Sequence, residues 1–283
     1  MSSRAADLAL SPDNQVAIPW WRQPRTGWLL PLLALPLLIF LLLPLVALIL
    51  RIEPSALLIN LTKPPVRQAV NLSLWTTGMS TLLTLLFGTP LAYLVARRHF
   101  RGRAAIDTLI DLPMVLPPSV AGIALLLAFG RRGLLGSYLA DAGLSLAFSQ
   151  SAVVLAQLFV AGPFYVKAAI AGFRHVDQEL EQAAALDGAT QWGVFRYITL
   201  PLAGSALFGG MVMTWARALG EFGATIIFAG NFPGRTQTMP LAIYIGFELD
   251  LAIALTLSVI LLTISFFVLF IVKGLLHQHI SGQ

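Results

Sequence analysis

Six apolar stretches constrain this chain more than anything else in it. They run over Leu29–Leu50, Ala69–Ala96, Pro113–Phe129, Ala152–Phe173, Ala203–Ala229 and Leu251–Val272. A hydrocarbon layer about 30 Å thick is crossed by about 20 apolar residues in helical form. The expected fold is therefore all-α, a polytopic transmembrane helix bundle with six spans. The third stretch is the shortest and carries Pro113, Pro117 and Pro118 near its start. Proline interrupts the helical hydrogen-bond ladder, and broken helices at membrane depth are tolerated where they line protein or a cavity.

Composition narrows the function classes. Hydrophobic residues make up 57% of the 283 and charged residues only 11%, against about a quarter charged in soluble domains. So few charges cannot cover the surface of a cytosolic enzyme. Disorder fails on hydrophobicity, and a disulfide scaffold fails because there is no cysteine. The net charge of +5 does not point to nucleic acid, because the basic residues sit in short loops beside apolar runs rather than along a folded basic stripe.

The first span is longer than a signal-peptide h-region and no small-x-small cleavage site precedes Arg51, so it is expected to stay in the protein. Residues 1–28 read as a polar tail, residues 29–273 as one membrane domain and residues 274–283 as a second tail. With the N-terminus inside, the inner segments hold Arg4, Arg22, Arg25, Arg97, Arg98, Arg101, Arg103, Arg174, Arg196 and Lys273. The outer loops hold Arg51, Lys63, Arg67, Arg131, Arg132 and Arg235. Cytoplasmic loops are enriched in Lys and Arg, which places both termini in the cytoplasm and the chain in the plasma membrane, the inner membrane of a bacterium.

The segment between the fourth and fifth spans, residues 174–202, carries the most chemistry. Asp177 suits an N-cap, and Glu179 and Glu181 favour the positive end of the helix that follows. Ala183 to Ala185 are strong helix formers, and Gly188 fits the left-handed position that ends the helix. Thr190 can cap a second short helix with Trp192, Phe195 and Ile198 on one side, before Pro201 leads into the fifth span. On residues alone this is a pair of helices at the inner membrane surface, packing under the bundle or docking a partner.

The spacing resembles the EAA loop of ATP-binding-cassette (ABC) importer permeases. The residues are Glu181, Gln182, Ala183 and Ala184, then Gly188, then nine residues to Ile198, with Leu200 and Pro201. One departure is that Gln182 occupies the glutamate position and Glu181 precedes it. The resemblance implies a type I importer permease fold in which this loop is the coupling helix that docks on an ATP-hydrolysing subunit. No phosphate-cradling G-x-x-x-x-G-K-[ST] occurs in the chain, so ATP and Mg are expected on a separate subunit, with no cofactor and no metal held here.

Three ionisable residues fall within the spans: Lys167, Arg217 and Glu221. Such groups are costly in lipid and mark pathways or pairs. Arg217 and Glu221 are four apart and can share a helix face, as a structural pair, a gate or an anion contact. Lys167, near the inner end of its span, can snorkel.

The run Ala216–Thr225, with Phe228–Asn231, Thr236–Tyr244, Leu112–Pro118 and Gly130–Gly133, resembles the molybdate/tungstate permease family, to which sulfate permeases are related more loosely through Gly220 and Glu221. The likeness extends from about Asn71 to the C-terminal end. It implies a homodimer of this chain with two ATPase copies and an external oxyanion-binding protein. Arg217, Gly220, Glu221 and Lys167 become candidates for the pathway or gate. Arg131 and Arg132 become candidates for contact with the binding protein, or an ordinary solvated turn. Serine and threonine hydroxyls and glycine-exposed backbone would give the passing anion weak contacts. Some relatives carry a regulatory C-terminal domain, and none is expected before Gln283. An ATP-independent transporter would show inverted repeats and would leave the loop spacing unexplained. A membrane enzyme finds no H-E-x-x-H or nucleophile elbow, and His99, His175, His277 and His279 lie in loops or the tail.

Overall fold

The computed structural model describes residues 29–280, and every regular element among them is helical. Residues 1–50 and 51–283 form two packing units, each taken by itself. The first holds α1 (Leu29–Arg51), which ends at the unit boundary and keeps Pro36 and Pro44 inside the helix. Residues 1–28 and 281–283, where the tails were expected, lie outside the described residues.

The second unit is built around α3 (Pro64–Arg97) and α7 (Gln150–His175), which pack side by side. A short α2 (Pro54–Thr62) precedes α3. The buried positions of α3 run along one side of the helix, and half of them carry hydroxyls: Ser73, Thr76, Thr77, Ser80, Thr81 and Thr84. Its exposed positions include Leu74, Trp75, Leu82, Leu86 and Phe87. Apolar residues outside and small polar ones inside are what lipid selects, since small residues allow close helix approach and the interior satisfies hydroxyls. Thr76, Thr77 and Thr84 each donate to a carbonyl four residues back, and Ser73 accepts the Met239 amide at 2.7 Å. The hydroxyls of Thr76, Thr77, Thr84 and Ser73 are thus used within the bundle, whereas those of Ser80 and Thr81 are buried without a hydrogen-bond partner among the described residues.

The third expected span is not one helix. It is α4 (Arg103–Val115) and α5 (Pro118–Phe129), bent by 116° across Leu116 and Pro117. Leu116 precedes a proline and is extended (ψ 136°), as the following pyrrolidine ring requires. Pro118 then starts α5, where a missing N–H costs nothing. A short α6 (Gly136–Asp141) leads to α7.

After the loop described below, α11 (Gly204–Leu219) packs on α7 at close range. A Cβ on Gly210 would stand 2.7 Å from the Ala168 Cβ, and one on Gly172 would stand 2.6 Å from the Ala206 Cβ. The fifth expected span also breaks: α11 ends at Leu219 and α12 (Gly223–Phe228) resumes after Gly220–Phe222. Next come α13 (Met239–Leu249), too short to cross alone, and α14 (Leu251–Ile280), which continues past the expected end at Val272. Among the described residues, four helices can cross a membrane by length and composition, or up to six when each bent pair is one span.

Candidate coupling loop and membrane pathway

The loop forms as its residues dictate. In α8 (Gln178–Leu186), the Asp177 side chain accepts the Glu179 amide. Gly188 is left-handed at φ +89°. The Ala189 amide donates to Ala184 O at 3.0 Å and the Gly188 amide to Ala185 O at 3.1 Å, the paired closure of a Schellman motif. Thr190 caps α9 (Gln191–Val194) by accepting the Gly193 amide. A π turn, Phe195–Thr199, and α10 (Leu200–Leu202) follow, and the segment Gln191–Leu202 meets α11 at 68°.

The loop has two faces. Gln182, Ala183, Leu186, Trp192 and Tyr197 are exposed, Leu186 by 89%. Ala184, Ile198 and Leu200 are partly covered, and Pro201 is exposed. Beneath, Phe195 packs against Tyr93 and Phe173, with ring centroids 4.9 and 6.2 Å apart. Glu181 turns inward. Its Oε1 accepts Arg97 Nη2 at 3.0 Å and Thr199 Oγ1 at 2.6 Å. Sequence reasoning used Arg97 only as an orientation charge and overlooked Thr199. Gln182, at the glutamate position of the motif, is exposed, and the acidic side chain that turns inward is Glu181.

Lys167 does not reach outward alone. Its ammonium lies 3.1 Å from Asp107 Oδ1 and 3.0 Å from an Asp111 oxygen, joining α7 to α4 with side chains a third to a half exposed. The two aspartates precede the expected start of the third span at Pro113 and lie instead within α4, where their i, i+4 spacing puts them on one helix face.

Arg217 and Glu221 do pair, at 2.8 Å, but Glu221 lies beyond the end of α11. The Glu221 side chain is 1% exposed, and its other oxygen accepts the Ala224 amide at 2.9 Å. It therefore neutralises Arg217 and caps α12 across the break. Gly220 is exposed there, beside a shallow, mostly apolar cavity of about 450 Å3. Phe222, Ile243, Tyr244, Phe247 and Glu248 line it.

Arg131 and Arg132 are both exposed on a turn after α5, tightened by the Gly133 amide on Gly130 O at 2.8 Å. Arg131 also borders a cavity of about 370 Å3 together with Leu139, Ala140 and Leu144. The turn lies away from residues 174–202. Phe129 packs near Phe228, Phe232 near Phe148, and Gly234 near Gln68 at the start of α3, whereas Arg97 at the other end of α3 meets the loop. Arg131, Arg132 and Glu181 are thus on opposite ends of the bundle. No cluster of three or more potential metal ligands occurs among the described residues.

The chain matches the family described as binding-protein-dependent transport system inner membrane component over residues 88–281. It is 43% identical over 228 residues to the molybdenum transport system permease protein ModB of Mycobacterium tuberculosis, covering 81% of this chain and 86% of that one. It is 46% identical over 181 residues to the protein of the same name from Escherichia coli K12, covering 64% of this chain and 79% of that one. Among solved structures it superposes on a bacterial ABC transporter involved in import of the acidic polysaccharide alginate, with a TM-score of 0.72 at 18% identity, covering 91% of this chain and 98% of that one.

Proposed function

The chain belongs to the family of binding-protein-dependent transport system inner membrane components, and from that membership we propose that it is the permease subunit that passes molybdate through the membrane of an ATP-driven importer. The observation that carries the cargo is the identity of 43% across most of both chains with a permease named for molybdenum transport. The drive is supported by the loop, whose exposed Leu186, Trp192 and Tyr197 offer an apolar docking face held rigidly from beneath. In this reading two copies of the chain pair with two ATPase subunits, which hold ATP and Mg. The chain itself needs no cofactor and hydrolyses nothing.

The loop end of the bundle faces the cytoplasm, with both termini on that side, and the Arg131–Arg132 end faces outward. There an external binding protein brings the oxyanion, and the two guanidinium groups meet its acidic residues or steer the anion by their field. Within the bundle the basic side chains Arg217 and Lys167 are already paired, the first with Glu221 and the second with two aspartates. A conduit that binds its cargo weakly releases it readily, so selectivity rests with the binding protein. The Arg217–Gly220–Glu221 break is the candidate gate, where an ion pair holds two helix ends together.

The test is uptake of labelled molybdate into proteoliposomes that contain this chain with its ATPase and binding protein. ATP-dependent uptake that tungstate blocks and sulfate leaves alone is the expected result. ATP-dependent uptake erased by sulfate would keep the machine and change the cargo. Uptake without ATP would overturn the reading.

A further inference from the structure

Among the described residues, Glu181 is the one α8 side chain hydrogen-bonded to another element. The rest of α8 is exposed or half-covered, with no buried residue. In a helix meant to receive force from a partner, the side-chain hydrogen bonds to the bundle thus all run through a single carboxylate oxygen.

That oxygen joins two different helical routes. Arg97, the last residue of α3, has a side chain only 7% exposed. Its Nη2 donates both to Glu181 and, at 2.8 Å, to the carbonyl of Val176, which caps the end of α7. Thr199 is fully buried at the end of the π turn, five residues before α11 begins at Gly204. π turns are rare insertions that concentrate where a helix must do something other than continue. Tyr93, one turn before Arg97, packs on Phe195 at the start of the same turn. α3 therefore grips the loop twice, once on each short helical segment.

We propose that Arg97 and Thr199 are positioning residues that fix Glu181, and through it the coupling helix, to the ends of α3 and α11, so that a displacement of the loop moves both helices together. This deepens the permease reading and rests on it. A planar guanidinium can hold two acceptors in a fixed direction, which lets Arg97 register α8 against the end of α7. Without it, α8 can shift on its chain connections while the bundle stays put, and ATP turnover is lost to motion that carries no anion.

The test uses the whole complex in proteoliposomes, with assembly checked by gel filtration. ATP hydrolysed per molybdate imported is measured for the wild type, Arg97→Gln, Thr199→Val and Thr199→Ser. The ratio is expected to rise about tenfold in Arg97→Gln and Thr199→Val, within the usual range of coupling energies between sites. Thr199→Ser keeps the hydroxyl and should stay at the wild-type ratio. A merely structural contact would lower the yield of complex without changing the ratio in what assembles. Wild-type ratios in both assembled variants would overturn the proposal. If Arg97→Gln does not assemble, the nearly isosteric Thr199→Val decides alone. A wild type without ATP-dependent uptake fails the permease reading itself, and this inference with it.

Discussion

Gly188 shows how much function rests on one backbone angle. A Cβ there would meet nothing within 4 Å, so the cost of a side chain comes from the left-handed φ alone, about 1–2 kcal/mol for a residue that resists it. Gly188→Val should therefore weaken ATPase association and uptake by about tenfold, while Gly188→Asn, which tolerates that region, should retain most of both. Equal losses in the two variants, read by co-purification and uptake, would show that the turn is not what matters. Glu221 makes a second case. Its two oxygens serve different partners, Arg217 and the Ala224 amide. In the exchange Arg217→Glu with Glu221→Arg the ion pair can re-form, but an arginine cannot accept the Ala224 amide, so stability should return only in part. Arg217→Ala, which leaves a carboxylate 1% exposed without its cation, should cost ~3 kcal/mol, as for one partner removed from a buried pair, and more than Glu221→Ala, which leaves only a partly exposed guanidinium. Thermal unfolding in detergent compares the variants.

The elements divide by what a window of hydropathy can register. α7 and α8 were legible because their signals are local: an apolar run, a capping aspartate, a glycine at the correct offset. The two breaks were not. At Pro117–Pro118 the prolines announce an interruption but not its 116° direction, which depends on what α5 packs against, namely α12 and α7. At Gly220–Phe222 no proline appears, and the interruption exists because Glu221 takes an amide from the next helix. The Lys167 clamp is likewise tertiary, since the sequence holds its three members but not the α4–α7 contact. With side chains a third to a half exposed, each of its pairs should contribute no more than ~1 kcal/mol. Lys167→Met leaves two aspartates facing one another and should lower the unfolding midpoint. Adding Asp107→Asn and Asp111→Asn should recover it, whereas no recovery would mean that the lysine acts elsewhere.

At the scale of the whole molecule the question is which end faces the cytoplasm. The basic cluster Arg97, Arg98, Arg101 and Arg103 follows α3 at the end where the loop lies, and such clusters stay on the inner side. The turn bearing Arg131 and Arg132 is at the far end, and a pair of arginines there runs against the bias, which is why sequence alone left its role between a solvated turn and a docking contact. The chain has no cysteine, so single-cysteine variants report sidedness with no background to remove. Arg132→Cys should react with a membrane-impermeant maleimide in intact cells. Leu186→Cys, at a position 89% exposed, should react only after permeabilisation, and the purified ATPase should then protect it. Protection requires both the inward orientation and contact at α8, so it links the topology to the coupling surface. Labelling of Leu186→Cys from outside would reverse the bundle and remove the loop from any cytoplasmic ATPase. Labelling from inside that the ATPase does not block would keep the orientation and move the docking face away from α8.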